Sequence, residues 1–446
     1  MSVRLIESLA TTDANANLFS DESILRAMLD FEGALARAEA RIGLIPETAG
    51  RVIETVAKEA TLSAADIARD TWRSGTPTIP LVKALTERVR AADAAAAGYV
   101  HWGATSQDVA DSAIVLILKN VQPVLAADHQ RLDRALRRLS DEHAHTVMLG
   151  RTLLQAAPPV TFGLKAAGWL GAIRRGWSRL SAAFGEALVL QFGGASGTLA
   201  SLEDQGIAAG RALAEELGLS YPDAPWHAHR DRIGALVGAC GVQTASLGKM
   251  ARDISLLMQS EVGKVAEPAA PGRGGSSTMP HKRNPVGCAI ALASAQRVPG
   301  LVSAYLSGMV QEQERALGGW QAEWPVVAGV IEATASAHAS MAEVMEGLTV
   351  DVERMRANIE ATQGIVFAER ATKLLSSTLG RDAGRRLLEE ASRRCVAEHR
   401  RLVDALRDIP EVTRVLSLEA LNDLDRPEAY LGVAEQFRQR LIQEQE

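Results

Sequence analysis

The 446-residue chain has three cysteines, Cys240, Cys288 and Cys395, and no short spacing relates any two of them. Their odd number and wide separation argue against a disulfide framework or a zinc knuckle and fit a reducing cytoplasm. Aromatic residues make up 4% of the chain, against a hydrophobic fraction of 47%. A core built from Ala, Leu, Val and Ile with few rings suits closely packed helices. No window approaches the ~20 apolar residues of a membrane span. The start, Met1-Ser2-Val3-Arg4-Leu5, lacks both a sustained apolar run and a cleavage signal. Internal repeats and low-complexity tracts are also missing. The net charge of -6 gives no global attraction for nucleic acid or an anionic membrane, so an anionic substrate needs a locally basic pocket. The nine histidines form no His-Glu-x-x-His pattern, and the pairs His143/His145 and His227/His229 are two residues apart, pointing to different sides of a helix. A metal site is therefore not expected. The chain reads as a soluble cytoplasmic protein with neither nucleic acid nor membrane as partner.

What is present is helix signal. Ser20 is a candidate N-cap for an amphipathic run from Ser23 to Ile42, with Gly43 and Pro46 as its stop. Further helices are expected over Leu62–Thr71 and Leu81–Arg90, the latter after the turn Gly75–Pro80. In the segment His101-Trp102-Gly103-Ala104-Thr105-Ser106-Gln107-Asp108, Thr105 or Ser106 can cap a helix running from about Asp108 to His143, with Asp108 in the favoured first turn. At ~1.5 Å per residue that helix would be roughly 50 Å long, a length typical of bundles and oligomer interfaces. Gly150–Gln155 and Pro158–Thr161 lead into a helix from Phe162 to about Leu188, lined by small residues. The glycine-rich turn Gly193–Thr198, an acidic helix ending at Leu217, and long helices over Ile233–Val265, Asn284–Val310 and Glu323–Glu346 follow. From Leu348 the helices are shorter and arginine-rich. This predicts an all-α chain in three parts: residues 1–104, a central long-helix bundle over 105–347, and a small helical domain over 348–446.

One loop stands apart from these plain elements. Gly274-Gly275-Ser276-Ser277-Thr278-Met279-Pro280-His281-Lys282-Arg283-Asn284-Pro285 packs glycines, hydroxyls and cations together. Paired glycines let backbone N–H groups approach a ligand, successive N–H groups make an anion-binding concavity, and the cations add full charge. It has neither the Gly-x-Ser-x-Gly elbow of hydrolases nor Walker spacing. The loop reads as a site for a carboxylated or phosphorylated ligand. Elsewhere the bland readings compete: His101 as a hydrogen-bonded loop residue, Arg151 and Thr152 as a solvated turn, and Arg230-Asp231-Arg232 as a surface ion-pair run.

Taken in order and spacing, three of these stretches resemble the shared regions of the fumarase/aspartase superfamily. The Ser276–Pro285 run matches its Gly-Ser-Ser-x-Met-Pro-x-Lys-x-Asn-Pro signature, His101–Asp108 its first region and Gly150–Gln155 its second. Met28–Glu39, Leu190–Gly197 and Gln311–Arg315 are similar to the branch that lactonizes muconates. The resemblance implies reversible addition across a carbon–carbon double bond beside a carboxylate, through an aci-carboxylate. It implies Ser276, Lys282 and His101 as catalytic residues. It also implies Thr105, Ser106, Arg151, Thr152, Gln191, Ser277, Met279, Asn284, Arg230 and Arg315 as substrate-binding ones. Further implications are a small tricarboxylate substrate, no cofactor and no metal, and a homotetramer whose active sites are shared between subunits. Relatives that eliminate an amine carry histidine where Leu153 stands, and a second histidine is common where Ala156 stands. Leucine cannot protonate a leaving amine, which argues against an adenylosuccinate-lyase-like activity. A non-catalytic helical relative would be expected to have eroded the loop, yet Ser276, Met279, Lys282 and Asn284 are all present.

Overall fold

The computed structural model describes residues 5–270, 272–275, 278–279 and 282–443. Ser276, Ser277 and His281 lie outside the described residues. The fold is helical throughout, with two small two-stranded sheets.

The amino-terminal part holds α1 (Asp13–Leu18), α2 (Asp21–Arg41), α3 (Glu47–Glu59), α4 (Ala64–Ser74) and α5 (Thr78–Ala92). The sequence signals explain α2: the Ser20 side chain accepts from the Ser23 N–H, Asp21 and Glu22 fill the first turn, and Arg41 sits in the last. Gly43, at φ 80°, turns the chain away. The buried face of α2 carries Met28, Phe31, Leu35 and Ala38, together with two carboxyl side chains, Glu32 and Glu39.

Next come α6 (Ser106–Glu142), the strands β1 (Val147–Thr152) and β2 (Gln155–Thr161), α7 (Phe162–Ala187), α8 (Gly206–Leu217) and α9 (Asp231–Leu257). The 37 residues of α6 pass through Pro123 without a break and extend about 55 Å. Strand β3 (Val265–Ala266), α10 (Val286–Gly308), α11 (Gly319–Glu346) and β4 (Thr349–Val350) follow, and β3 pairs antiparallel with β4. Seven short helices complete the chain: α12 (Val352–Glu360), α13 (Ala368–Leu379), α14 (Arg381–Glu398), α15 (Leu402–Arg407), α16 (Pro410–Thr413), α17 (Leu418–Asp423) and α18 (Ala434–Ile442).

Three departures from the sequence reading matter. Gly150–Thr161 is a β-hairpin rather than a turn leading to a helix; β1 and β2 pair antiparallel from Val147↔Thr161 to Thr152↔Gln155. Second, α9 stops at Leu257 instead of running to Val265, because the Val262 and Gly263 N–H groups close a turn on the Gln259 carbonyl and Gly263 adopts φ 57°. Third, α6 and α10 are long and apolar enough, by length and composition, to cross a membrane, contrary to the expectation that no such stretch exists. In α6 half of the most apolar stretch is buried in the protein core.

The chain forms two compact units. One comprises Met1–His129, Gly176–Gly248 and Ile290–Ser340; the other comprises Gln130–Arg175, Lys249–Ala289 and Met341–Glu446. The first has a continuous apolar core that includes Phe31, Leu81, Leu118, Phe184, Leu190 and Leu236. In the second, Leu375, Ala391, Leu406, Val412 and Leu421 fill a core among the short helices.

Candidate active site

In the first unit the site is built on the turn that precedes α6. His101 and Gly103 both take left-handed backbone, with φ of 60° and 71°. Thr105 is the N-cap position of α6, and the Asp108 carboxylate reaches back to accept from the Thr105 N–H at 2.9 Å. The same carboxylate accepts from the Gly193 N–H (3.0 Å) and Gly194 N–H (2.9 Å), and His227 Nε2 lies 2.7 Å from Asp108 Oδ1. Asp108 thus fastens the region-one turn to the Gly193–Gly194 turn and to the 227 loop. A side chain at Gly193 would collide with Pro225 and His227, so glycine is required for that approach.

With Asp108 on its backbone N–H, Thr105 keeps its hydroxyl for another partner: Arg315 NH1 donates to Thr105 Oγ1 at 2.8 Å, and Arg315 Nε to Gln107 Oε1 at 3.4 Å. The Gln107 amide donates to Asp111 Oδ2 and to the His227 carbonyl. Thr105, Ser106 and Arg315 are therefore held in one cluster, with the Ser106 carbonyl fixed by the Thr78 hydroxyl.

Beneath it, Arg230 donates to both oxygens of Asp111 (2.7 and 3.0 Å) and to Glu323 (2.9 to 3.2 Å). All three side chains are buried, at 4%, 5% and 3% exposure. This corrects one expectation: Arg230 is no surface ion-pair residue, because its guanidinium is buried against Asp111 and Glu323. Gln191 is buried beside it; its amide donates to Asp111 and accepts from the Trp226 N–H. Burial alone would raise the Asp111 pKa, but Arg230, Trp320 and Gln191 hold it below the usual carboxylate range.

His101 has a partner that sequence reasoning missed. Its Nδ1 lies 2.6 Å from Glu32 Oε1, and Glu32 is fully buried on α2. The signal was available, since Glu32 and Glu39 interrupt the apolar face of α2 one heptad apart. Asp111 gave a similar one, a second aspartate one turn after Asp108 in an otherwise apolar stretch.

In the second unit, Arg151 and Thr152 end strand β1 and are exposed at the hairpin tip, with Arg151 NH1 donating to the Leu154 carbonyl at 3.2 Å. The two tip residues, Leu153 and Leu154, are 96% and 69% exposed and both take positive φ, 49° and 66°. Strand β1 has an irregularity between Met148 and Gly150. A Cβ at Gly150 would lie 2.3 Å from the Pro158 carbonyl oxygen, which makes glycine obligatory there. The fully buried Lys264 donates to the Leu149 carbonyl within this irregularity. Burial, then Arg151 and Lys165, lower the Lys264 pKa to about 8. This gathering of Lys264, Lys165 and Arg151 was not foreseen.

The glycine-rich loop belongs to this second unit. Its base is closed by the Asn284 N–H donating to the Gly274 carbonyl (2.9 Å), with Gly274 at φ 64° and no room for a Cβ. The Lys282 N–H donates to the Met279 carbonyl, and both side chains are exposed. Glu267 accepts from the Gly287 and Cys288 N–H groups and so caps α10, just after the loop. The structure gathers His101, Thr105, Ser106 and Arg315 in one unit; Arg151, Thr152, Met279, Lys282 and Asn284 fall in the other.

Residues 7–300 match the lyase family. The chain is 46% identical to a 3-carboxy-cis,cis-muconate cycloisomerase of Bradyrhizobium diazoefficiens, over 98% of this chain and 97% of that protein. Identity to the protein of the same name from Pseudomonas aeruginosa is 47%, over 96% and 93% of the two chains. The crystal structure of the 3-carboxy-cis,cis-muconate lactonizing enzyme of Pseudomonas putida superposes with a TM-score of 0.94 at 45% identity, covering 99% of this chain and 98% of that one.

Proposed function

The chain belongs to the lyase family within the fumarase/aspartase superfamily, and from that premise we propose that it catalyses the reversible lactonization of 3-carboxy-cis,cis-muconate in aromatic catabolism. The observation that carries this reading is near-full-length similarity, at 45–47% identity, to proteins named for that reaction. In the lactonizing direction one substrate carboxylate adds to the conjugated alkene, and negative charge gathers on another carboxylate as an aci-carboxylate. A proton then reaches the carbon beside that group.

Such a site must hold about three negative charges and stabilise one that develops during reaction. Cations and N–H donors do this, and removing one such donor typically costs ~10²–10³ in rate. Lys282, Arg151 and Arg315 supply the cations in our reading, with Thr105, Ser106, Thr152, Ser277, Met279 and Asn284 as orienting groups. Ser276 is the proton carrier, donating to the carbon during lactonization and abstracting from it in reverse. A serine works as a base only where its alkoxide is stabilised, which gives the surrounding cations a second task. His101 binds or protonates a carboxylate at the start of α6.

A homotetramer with active sites shared between subunits, in the cytoplasm, belongs to the same reading, and the two exposed leucines of the hairpin tip support association. We keep the division into residues 1–104, 105–347 and 348–446 as part of this reading.

Mixing the protein with 3-carboxy-cis,cis-muconate is expected to abolish the ultraviolet absorbance of the conjugated diene. An unchanged spectrum would sink the assignment. Ser276→Ala is expected to keep the wild-type circular dichroism and lose at least 10²-fold in kcat; wild-type turnover would remove Ser276 from the mechanism.

A further inference from the structure

The Glu32–His101 contact connects residues 69 apart in sequence, and three features of it call for a function. A residue other than glycine held at φ 60° costs of order 1 kcal/mol, and such conformations persist where surroundings over-determine them. Glu32 is fully buried with a single partner; its Oε2 has no hydrogen bond among the described residues. A buried carboxylate so sparsely satisfied is expensive, and a purely structural role is better served by an apolar side chain. Third, Glu39 lies seven residues further along the same face of α2, fully buried, with no hydrogen bond to either oxygen among the described residues.

We propose that Glu32 is a positioning residue for His101, which it orients through Nδ1 at the mouth of the region-one turn so that Nε2 meets a substrate carboxylate. The proposal rests on reading His101 as part of the active site.

The charges around the ring sort as follows. On α2, Glu39 is protonated, since burial, then repulsion from Glu32, push its pKa up to about 9. Glu32, the other carboxyl of this face, meets His101 Nδ1 as its one hydrogen-bond partner among the described residues. On α6, Asp108 adds attraction at longer range, but its oxygens are already occupied by Thr105, Gly193, Gly194 and His227. Burial of His101 opposes its charged form, yet the Glu32 charge and hydrogen bond, with Asp108, raise its pKa above the ordinary value. The ring is 19% exposed, so Nε2 remains as the atom through which a ligand can be met. With Nδ1 bonded to Glu32, the orientation of the ring is fixed and Nε2 is left for a ligand. When protonated, a ring so oriented offers Nε2–H to a carboxylate and has no lone pair with which to abstract a proton.

The test uses the full-length protein with 13C-labelled histidine, the His101 signal being identified by its loss in His101→Gln. The wild-type His101 midpoint is expected above about 6.5, the ordinary histidine value; a midpoint below it overturns the proposal. In Glu32→Gln the midpoint is expected to fall, and KM for the muconate to rise about 10-fold at pH 7.5 with a smaller change in kcat. Glu32→Asp is expected to restore part of both. An unmoved midpoint or an unchanged KM in a folded Glu32→Gln protein overturns the proposal, and if that variant does not fold the wild-type titration decides. His101→Gln with wild-type KM would instead remove His101 from the site, a separate failure from that of the Glu32 coupling.

Discussion

Glu39 has a consequence for stability as well as for the site. Its folded-state pKa of about 9 lies well above that of an unfolded chain, near 4.5. The folded protein keeps a proton that the unfolded chain releases. The stability this contributes is complete below about pH 4.5 and is lost as pH rises toward 9, by up to about 1.4 kcal/mol per pH unit. Glu39→Gln is expected to flatten this dependence, so that the urea midpoint changes less between pH 6 and 8.5 than in wild type. Equal slopes in the two proteins would show that Glu39 ionises normally. A second expectation concerns the buried cluster under the site. Asp111→Ala leaves Arg230 short of two acceptors and should cost roughly 3–5 kcal/mol in chemical denaturation. Surface pairs such as Arg385–Glu389 should cost well under 1 kcal/mol when broken.

Among the elements, the β1–β2 hairpin combines an unfavourable turn with a functional motif. A two-residue hairpin turn with both central residues at positive φ is the conformation Asn-Gly adopts readily and leucine resists. Leu153→Asn combined with Leu154→Gly is therefore expected to raise unfolding stability by about 1–2 kcal/mol. If the leucines serve the reaction, the same variant loses activity while gaining stability; a gain in both would make the tip a plain turn. This element also marks the limit of what could be read from the chain. The long helices were legible because caps such as Ser20 and the three- and four-residue apolar spacing are local signals, and α2, α6, α7 and α11 start or stop within a few residues of expectation. The hairpin was not, because Leu153-Leu154 carries no turn signature and Pro158-Pro159 reads as a break rather than a strand. The motif residues at 101–108 and 274–285 were recognisable from the pattern. Their supporting carboxylates were marked locally only as charges on apolar faces, Glu32 on α2 and Asp111 on α6; their partners come from distant segments, which no local pattern reveals.

For the whole molecule, α10 poses the question of cover. Only 28% of its most apolar stretch is buried, and the hairpin tip exposes two leucines. Apolar surface of this kind on a single chain points to association. Light scattering is expected to give four times the chain mass of 47.5 kDa, and a monomer would refute the shared-site reading. The Asp108 hub bears on a different matter, the order in which a newly made chain becomes an enzyme. Its partners come from 85 and 119 residues further along, and the Thr105–Arg315 bond spans 210. Ribosomal synthesis delivers residue 108 long before any of them, so the aspartate must wait in water until the 193 turn, the 227 loop and Arg315 have emerged. Loop closure over such distances is slow, and nascent chains shorter than about 315 residues lack the Arg315 bonds to Thr105 and Gln107. The region-one cluster is thus completed late in synthesis, and a chain truncated before Arg315 is expected to form helices without being able to bind substrate.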